Sequence, residues 1–330
     1  MTVGATALVA GYTADIIFGD PRRGHPVAGF GTVAGHLERA FYAPTRARGA
    51  LLTGTLIGAA AGVGALVADL LPGAGGAAVV LWATLGGRTL CREAAAVEAR
   101  LAAGDLPGAR TRLRSLCGRD TGDLDATAIR AAVIESLAEN TSDAVVGALV
   151  WAALTGPAGA GAYRAANTLD AMWGHHSDRY EQFGWAPARL DDLLNWVPAR
   201  VTAALVCRFS AFPALPGVPA LPGGRASCRA AVRRDAAAHP SPNAGVVEAA
   251  FAGALGVTLG GPLSYAGVLE ARPRLGDGRA PEAADVTRAL RLSARVGAAA
   301  TVVCAGVATL FSALIATVPT SGITVRRRRR

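Results

Sequence analysis

The chain contains no lysine; all 33 of its basic residues are arginine. That absence excludes a P-loop lysine, a Schiff base with pyridoxal phosphate, and a biotin or lipoyl attachment site. Charge of either sign is scarce, at 17% of residues, against about 25% in an average soluble domain. With 52% apolar residues, the composition argues against an ordinary soluble enzyme and against a disordered chain. Aromatic residues are only 5% and do not interleave with the arginines, so nucleic acid is not an expected partner. The five cysteines, Cys91, Cys117, Cys207, Cys228 and Cys304, form no C-x-x-C pair. Neither zinc nor a dithiol redox motif is expected. Cys207 and Cys304 lie in apolar runs and read as core thiols, without a disulfide framework. G-x-G-x-x-G, G-x-S-x-G, H-E-x-x-H and the phosphatidyltransferase pattern D-G-x-x-A-R are all missing.

What the chain has is apolar length. Residues 297–318 carry no charge and are long enough to cross about 30 Å of hydrocarbon. Residues 50–71 are similar, and Gly54, Gly58 and Gly62 suit close helix packing in lipid. Residues 75–90 read as a shorter partner in a helical hairpin, turned at Leu71-Pro72-Gly73. Residues 3–18 read as an uncleaved membrane helix, since no basic segment precedes them. Residues 144–166 are interrupted by Gly156-Pro157 and read either as one kinked span or as a re-entrant hairpin. Residues 193–212 contain Pro198, Arg200 and Arg208 and either span or lie at the interface. Between the spans lie polar segments at 19–49, 91–143, 167–192 and 225–296, with Asp125 placed to cap a helix through Leu137. No strand-like alternation is visible. The expected fold is all-α: one membrane-embedded domain over 1–330, a polytopic helical membrane protein. The net charge of +9 is partly due to Arg326–Arg330, a tail suited to anionic lipid headgroups.

Four polar constellations stand out. Glu135, Glu139 and Asp143 share a helical face at i, i+4 and i+8, with Asn140 beside them. Such like charges repel, so the face is either solvated and paired with arginine or binds Mg²⁺ at Glu139 and Asp143 together with a phosphate. Asn167, Asp170, Arg179, Tyr180, Arg189, Asp191, Asp192 and Asn195 form the densest polar stretch, with His175 and His176 as acid–base groups or plain loop residues. Asp20, Arg22 and His25 flank a tight turn suited to an anion, or to ordinary positive flanking of a helix end. Ser241 and Asn243 lead into a helix, and Gly260-Gly261 permits close ligand approach.

In this order and spacing the strings resemble the membrane-bound adenosylcobinamide-phosphate synthase family of cobalamin biosynthesis. They are Gly19-Asp-Pro-Arg-Arg-Gly-His-Pro26, Glu135-Ser-Leu-Ala-Glu-Asn-Thr141, Tyr163-Arg-Ala-Ala-Asn-Thr-Leu-Asp170, Phe183-Gly-Trp-Ala186 and Arg189-Leu-Asp-Asp-Leu-Leu-Asn195. Ser241-Pro-Asn-Ala-Gly245, Gly253-Ala-Leu-Gly256, Gly260-Gly-Pro262 and Arg272-Pro-Arg-Leu-Gly-Asp-Gly278 complete the set. The chain departs from the family pattern at His176, Ser177 and Asp178. The resemblance implies an ATP-using ligase that joins aminopropanol, usually as its O-phosphate, to the corrinoid adenosylcobyric acid through an amide. On that basis Glu135, Glu139, Asp143, Asp170, Asp191 and Asp192 are the candidate catalytic groups. Asp20, Arg22, His25, Asn140, Asn167, Arg179, Tyr180, Arg189, Asn195, Ser241, Asn243, Gly260 and Gly261 are the candidates for substrate binding. ATP and Mg²⁺ enter by resemblance. Other partners are membrane lipid and other membrane-bound late cobalamin enzymes. The implied location is the cell membrane, multi-pass, with the site on the cytoplasmic face. A transporter and a Mg²⁺-dependent membrane prenyltransferase are the competing readings.

Overall fold

The computed structural model describes residues 4–21, 23–175, 177–212, 220–265 and 268–317. Arg22, His176 and the Arg326–Arg330 tail lie outside the described residues. The first half comprises α1 (Ala5–Phe18), α2 (Pro26–Phe41), α3 (Arg46–Leu70), α4 (Gly75–Thr84), α5 (Gly87–Ala102), α6 (Leu106–Leu113) and α7 (Ala126–Thr141). A π-helix, Ser142–Gly147, then leads into α8 (Ala148–Trp173). There follow α9 (Tyr180–Phe183), α10 (Trp185–Leu194), α11 (Trp196–Phe209), α12 (Gly224–Asp235), α13 (Ala244–Leu255) and the long α14 (Ala283–Thr317).

Local chemistry fixes the helix starts. Pro26 opens α2, where His25 Nδ1 accepts from the Val27 N–H at 3.0 Å. Thr45 caps α3, and Asp125 caps α7 by accepting from Ala128 N–H at 2.7 Å, as the sequence predicts. Asp15, buried in α1, accepts the Arg88 N–H at the start of α5.

Among the described residues, three helical stretches are long and apolar enough to cross a membrane: Arg46–Leu70, Ala126–Trp173 and Ala283–Leu314. Leu51, Val63 and Leu66 on α3, and Val302, Leu310 and Leu314 on α14, point outward. Outward apolar faces of this extent suit lipid rather than water.

The second stretch is not one rod. Gly156 has φ 80 and ψ −167, and the chain reverses there. The Tyr163 hydroxyl donates to the Asp143 carbonyl at 2.8 Å and Asn167 Nδ2 reaches Asp143 Oδ2 at 3.3 Å. A straight helix would put residues 143 and 167 about 36 Å apart. Of the two readings of 144–166, the hairpin is therefore the one observed. Its second arm packs antiparallel on α3, where Gly64 and Gly161 leave no room for a Cβ against Pro157 and Ala60 backbone. Gly156→Ala would force a non-glycine residue into this conformation. It should cost about 1–3 kcal/mol, read as a lower unfolding temperature in detergent.

Several expectations are corrected. The close helix contact of α3 runs through Gly49 and Gly64, whereas Gly54, Gly58 and Gly62 face open space. The segment 75–90 is broken at Leu85-Gly86 because α5 needs a fresh start there, capped by Asp15. That leaves α4 with 10 residues, about 15 Å and too short to cross. The segment 193–212 holds α11 with 14 residues, about 21 Å and likewise short of a full span. Cys207 and Cys228 are joined in a disulfide, because the packing of α11 beside α12 brings their Cα atoms to 5.5 Å. Short strands also occur: β1 (Leu259–Gly260) pairs with β4 (Arg274–Leu275), and β2 (Leu263–Tyr265) with β3 (Val268–Glu270). Runs of two or three residues are too short to show alternation in sequence.

Candidate active site

The hairpin reversal brings the start of its first arm beside the end of its second. Asp143, in the π-helix, thereby meets Asn167 and Asp170 of α8. A π turn accommodates an extra residue and often marks a functional site. From the other side α10 adds Asp191. Asn167 Nδ2 donates to Asp143 Oδ2 at 3.3 Å and to Asp191 Oδ1 at 3.2 Å, so one amide bridges two carboxylates. Asn195 donates to Asp191 Oδ2 at 2.9 Å and accepts from the Tyr163 hydroxyl at 2.7 Å. The chain Tyr163–Asn195–Asp191–Asn167–Asp143 is thus a fixed polar network. Burial pushes the Asp191 carboxyl up to about 6, opposed by its bonds from Asn195 and Asn167. Burial raises Asp192 too, against the pull of Arg189.

Glu139, Asp143, Asp170 and Asp191 lie within electrostatic reach of one another, and Asp192 within reach of Asp170 and Asp191. Among the described residues, the Glu139 and Asp170 carboxylates have no hydrogen-bond or ion-pair partner. Glu139 is exposed, with Arg119, Asp191 and Arg272 within electrostatic reach.

Other candidates are committed to the scaffold. Glu135 is buried, holding Arg119 at 2.6 Å and accepting the Gly260 N–H at 2.7 Å. Asn140 donates back to Ser136 of its own helix. Ser241 Oγ accepts from the Asn243 and Ala244 N–H groups at the start of α13. Asn243 donates to the Asp192 carbonyl at 2.7 Å and accepts from Arg200 at 2.7 Å, which ties α13 to the edge of the acid cluster. Gly261 donates to the Pro273 carbonyl. Asp20 and His25 pair at 3.3 Å beside α5, whose start at Gly86 lies next to Ala144 and Arg164. Arg189 is exposed, 3.8 Å from Asp192.

Arg179 and Tyr180 belong to a different cluster. Both bond Glu38 Oε1, at 2.8 and 2.9 Å, while Trp173 donates to Glu38 Oε2 at 3.1 Å. Arg179 also stacks on Tyr42. Glu38→Ala would orphan the buried Trp173 N–H and release Arg179. It should cost about 2 kcal/mol, measured by thermal unfolding, with Glu38→Gln recovering part of the loss.

Sequence reasoning missed Glu38, Glu248 and Arg164. Arg164 bonds Asn167 Oδ1 at 3.4 Å and lies within electrostatic reach of Asp143 and Asp191, with its Nε buried and unbonded. As the lone charge late in an apolar segment, it was a visible signal. Glu248 lies buried 3.9 Å from His239 Nε2. Burial lifts its carboxyl well above the usual range, and Glu135 and Glu139 add to this.

For Mg²⁺ the donor set fits in kind: hard carboxylate oxygens crowded beyond what Arg164 neutralises. Among the described residues no three His, Cys, Asp or Glu side chains are grouped closely enough to cage a metal ion. Mg²⁺ commonly uses one or two carboxylates plus substrate phosphate and water, so Glu139 and Asp143 would hold it only in part.

Comparison with known proteins agrees with the strings that carry the site. The model of the CobD/Cbib protein family matches residues 8–293. A protein of Mycobacterium tuberculosis named cobalamin biosynthesis protein CobD is 49% identical over 302 residues, covering 90% of this chain and 94% of the relative. The protein of that name from Stutzerimonas stutzeri is 43% identical, over 84% of this chain and 89% of its own. The one from Rhodobacter capsulatus is 40% identical, over 93% and 98%. No solved structure matches. A match across nearly the whole chain, including every segment that contributes to the acid cluster, means that this chain belongs to the CobD/Cbib family.

Proposed function

We propose that the chain acts in cobalamin biosynthesis as an amide-forming synthase. It would join (R)-1-amino-2-propanol, or its O-phosphate, to the propionate carboxylate of adenosylcobyric acid. The observation that carries this reading is the Asn167 bridge between Asp143 and Asp191, flanked by Glu139 and Asp170, whose carboxylates have no hydrogen-bond or ion-pair partner among the described residues. Such a site can accept a proton from an incoming ammonium and hold it in a recess open to water.

A carboxylate does not condense with a protonated amine unaided. By the family resemblance ATP would supply the activation of the carboxylate, and Glu139 and Asp143 would hold the Mg²⁺ that neutralises phosphoryl charge. The chain's own residues do the rest. Asp191, raised by burial, takes the ammonium proton and frees the nucleophile. Asn167 and Asn195 fix its two oxygens, so the acceptor is oriented before the amine arrives. Arg164 and the exposed Arg189 supply cationic donors for the aminopropanol phosphate. Arg179, being held by Glu38, is not assigned that role.

The transporter alternative draws on broken helices whose ends meet the cargo. Here the break at Gly156 lies thirteen residues from Asp143, about 20 Å along the arm, so the charged groups and the break do not share a site. A multi-pass arrangement in the cell membrane, with the recess on the cytoplasmic face, is part of the same proposal. It suits an enzyme drawing on ATP and soluble corrinoids.

The test is an assay of purified protein with adenosylcobyric acid, ATP, Mg²⁺ and free or phosphorylated aminopropanol. A corrinoid amide is expected; none with either amine sinks the reading. The acid cluster also sets a pH profile. The rate should rise with pH through an apparent value of about 6, since the ionised carboxylate is the base. Asp191→Asn should remove this limb together with most of the rate, and an unchanged profile would exclude Asp191 as the base.

A further inference from the structure

Away from the acid recess, a groove of about 440 Å³ runs between α11 and α12. Its walls carry Arg200 and Arg208 on one side and Arg225, Arg229 and Arg233 on the other. The α12 arginines repeat at i, i+4 and i+8, so three like charges stack on one helical face, an arrangement that repels itself unless an anion offsets it. Among the described residues no carboxylate pairs with Arg208, Arg225, Arg229 or Arg233. The neighbouring Arg234, off this row, does find acids, Asp235 and Asp277. On α12, then, the arginines without an acid partner are the three that line the groove, and the paired one does not.

The groove is also amphipathic. Ala204 and Val246 contribute to its apolar floor. The α11 wall carries the i, i+4 row Trp196, Arg200, Ala204, Arg208, and Phe212 follows just past the helix end. Arg200 stacks on Trp196 and Arg208 on Phe212. Trp196 is 54% exposed, and Leu193, Val197 and Phe212 are exposed as well. Paired aromatic and basic side chains beside outward apolar ones are the composition of a membrane–water boundary.

We propose that this groove binds the phosphate headgroup of an anionic phospholipid, with the acyl chains lying along the outward apolar side of α11. Charge complementarity selects an anion, and the apolar floor and aromatic ends select one with a hydrocarbon body over a free phosphate. Arg200, through Asn243, connects the groove to the edge of the acid cluster, but the arginines tested below lie away from it, so the proposal stands whether or not the synthase reading does.

The test is native mass spectrometry of the full chain in detergent, titrated with phosphatidylglycerol, phosphatidylcholine and inorganic pyrophosphate. Wild type should retain phosphatidylglycerol at least about 10-fold better than phosphatidylcholine. The R225Q/R229Q/R233Q variant should lose that preference with helicity and unfolding temperature unchanged. Arg208→Gln, on the opposite wall, should weaken it in the same direction. A control variant, R48Q/R92Q/R114Q, removes equal charge elsewhere and should retain it. A preference that survives in the groove variants, or falls equally in the control, overturns the site. Displacement of phosphatidylglycerol by pyrophosphate overturns the lipid assignment in favour of a soluble phosphate.

Discussion

Asp143→Asn and Glu139→Gln should each reduce corrinoid-amide formation by about 100- to 10,000-fold, with membrane expression and unfolding temperature close to wild type. Both changes keep side-chain size and remove only charge. Asp143 is bridged through Asn167 to Asp191, so its replacement also loosens the orientation of the proposed base. Among the described residues the Glu139 carboxylate has no hydrogen-bond or ion-pair partner to lose, so a fall in rate on its replacement, with the unfolding temperature unchanged, reads out contact with substrate or Mg²⁺. The two should differ in how Mg²⁺ responds. If Glu139 helps to hold the ion, Glu139→Gln should raise the Mg²⁺ concentration needed for half-maximal rate. Wild-type turnover in either variant excludes that residue from the chemistry.

Glu135→Ala should act through stability, lowering it by about 3–5 kcal/mol, as measured by unfolding in detergent. The carboxylate is buried against Arg119, itself 11% exposed at the side chain, and accepts the Gly260 N–H. Removing it takes away the counter-ion of a cation that is mostly out of water and leaves a backbone donor unbonded. Glu135→Gln should recover part of the loss, because its amide oxygen can still take the Gly260 bond. If Glu135→Ala unfolds at the wild-type temperature yet is inactive, Glu135 is a chemical group and not an anchor.

The contrast between Glu135 and Glu139 marks what the sequence could reveal. Their i, i+4 spacing placed both on one face, and that is where they are. The spacing says nothing about which one a distant loop will cover. That depends on Gly260 folding back over α7, 125 residues later in the chain. Arg179 and Tyr180 show the same limit: their polarity was visible, but their partner Glu38 sits more than 130 residues upstream. Long-range partners carry no local signal.

Local signals served well where the structure is local. The Asp125 cap and the break at Gly156-Pro157 were both legible. The glycines of α3 were legible as a pattern and misleading as a contact. Gly54, Gly58 and Gly62 repeat at the right interval, yet the neighbouring backbones approach Gly49 and Gly64. Cys207 and Cys228 pair between α11 and α12, a contact that their spacing alone did not give.

The reversal at Gly156 makes this region sensitive to length in a way most of the chain is not. Asp143 lies thirteen residues before the turn and Asn167 eleven after it, and their contact depends on both numbers. One residue inserted in either arm would slide the side chains beyond it by about 1.5 Å and swing them by about 100°. The amide would then miss its two carboxylates. Only paired insertions of whole turns, matched between the arms, would preserve the register. Natural insertions and deletions in this family should therefore collect in connections such as that between α5 and α6, and avoid residues 143–167.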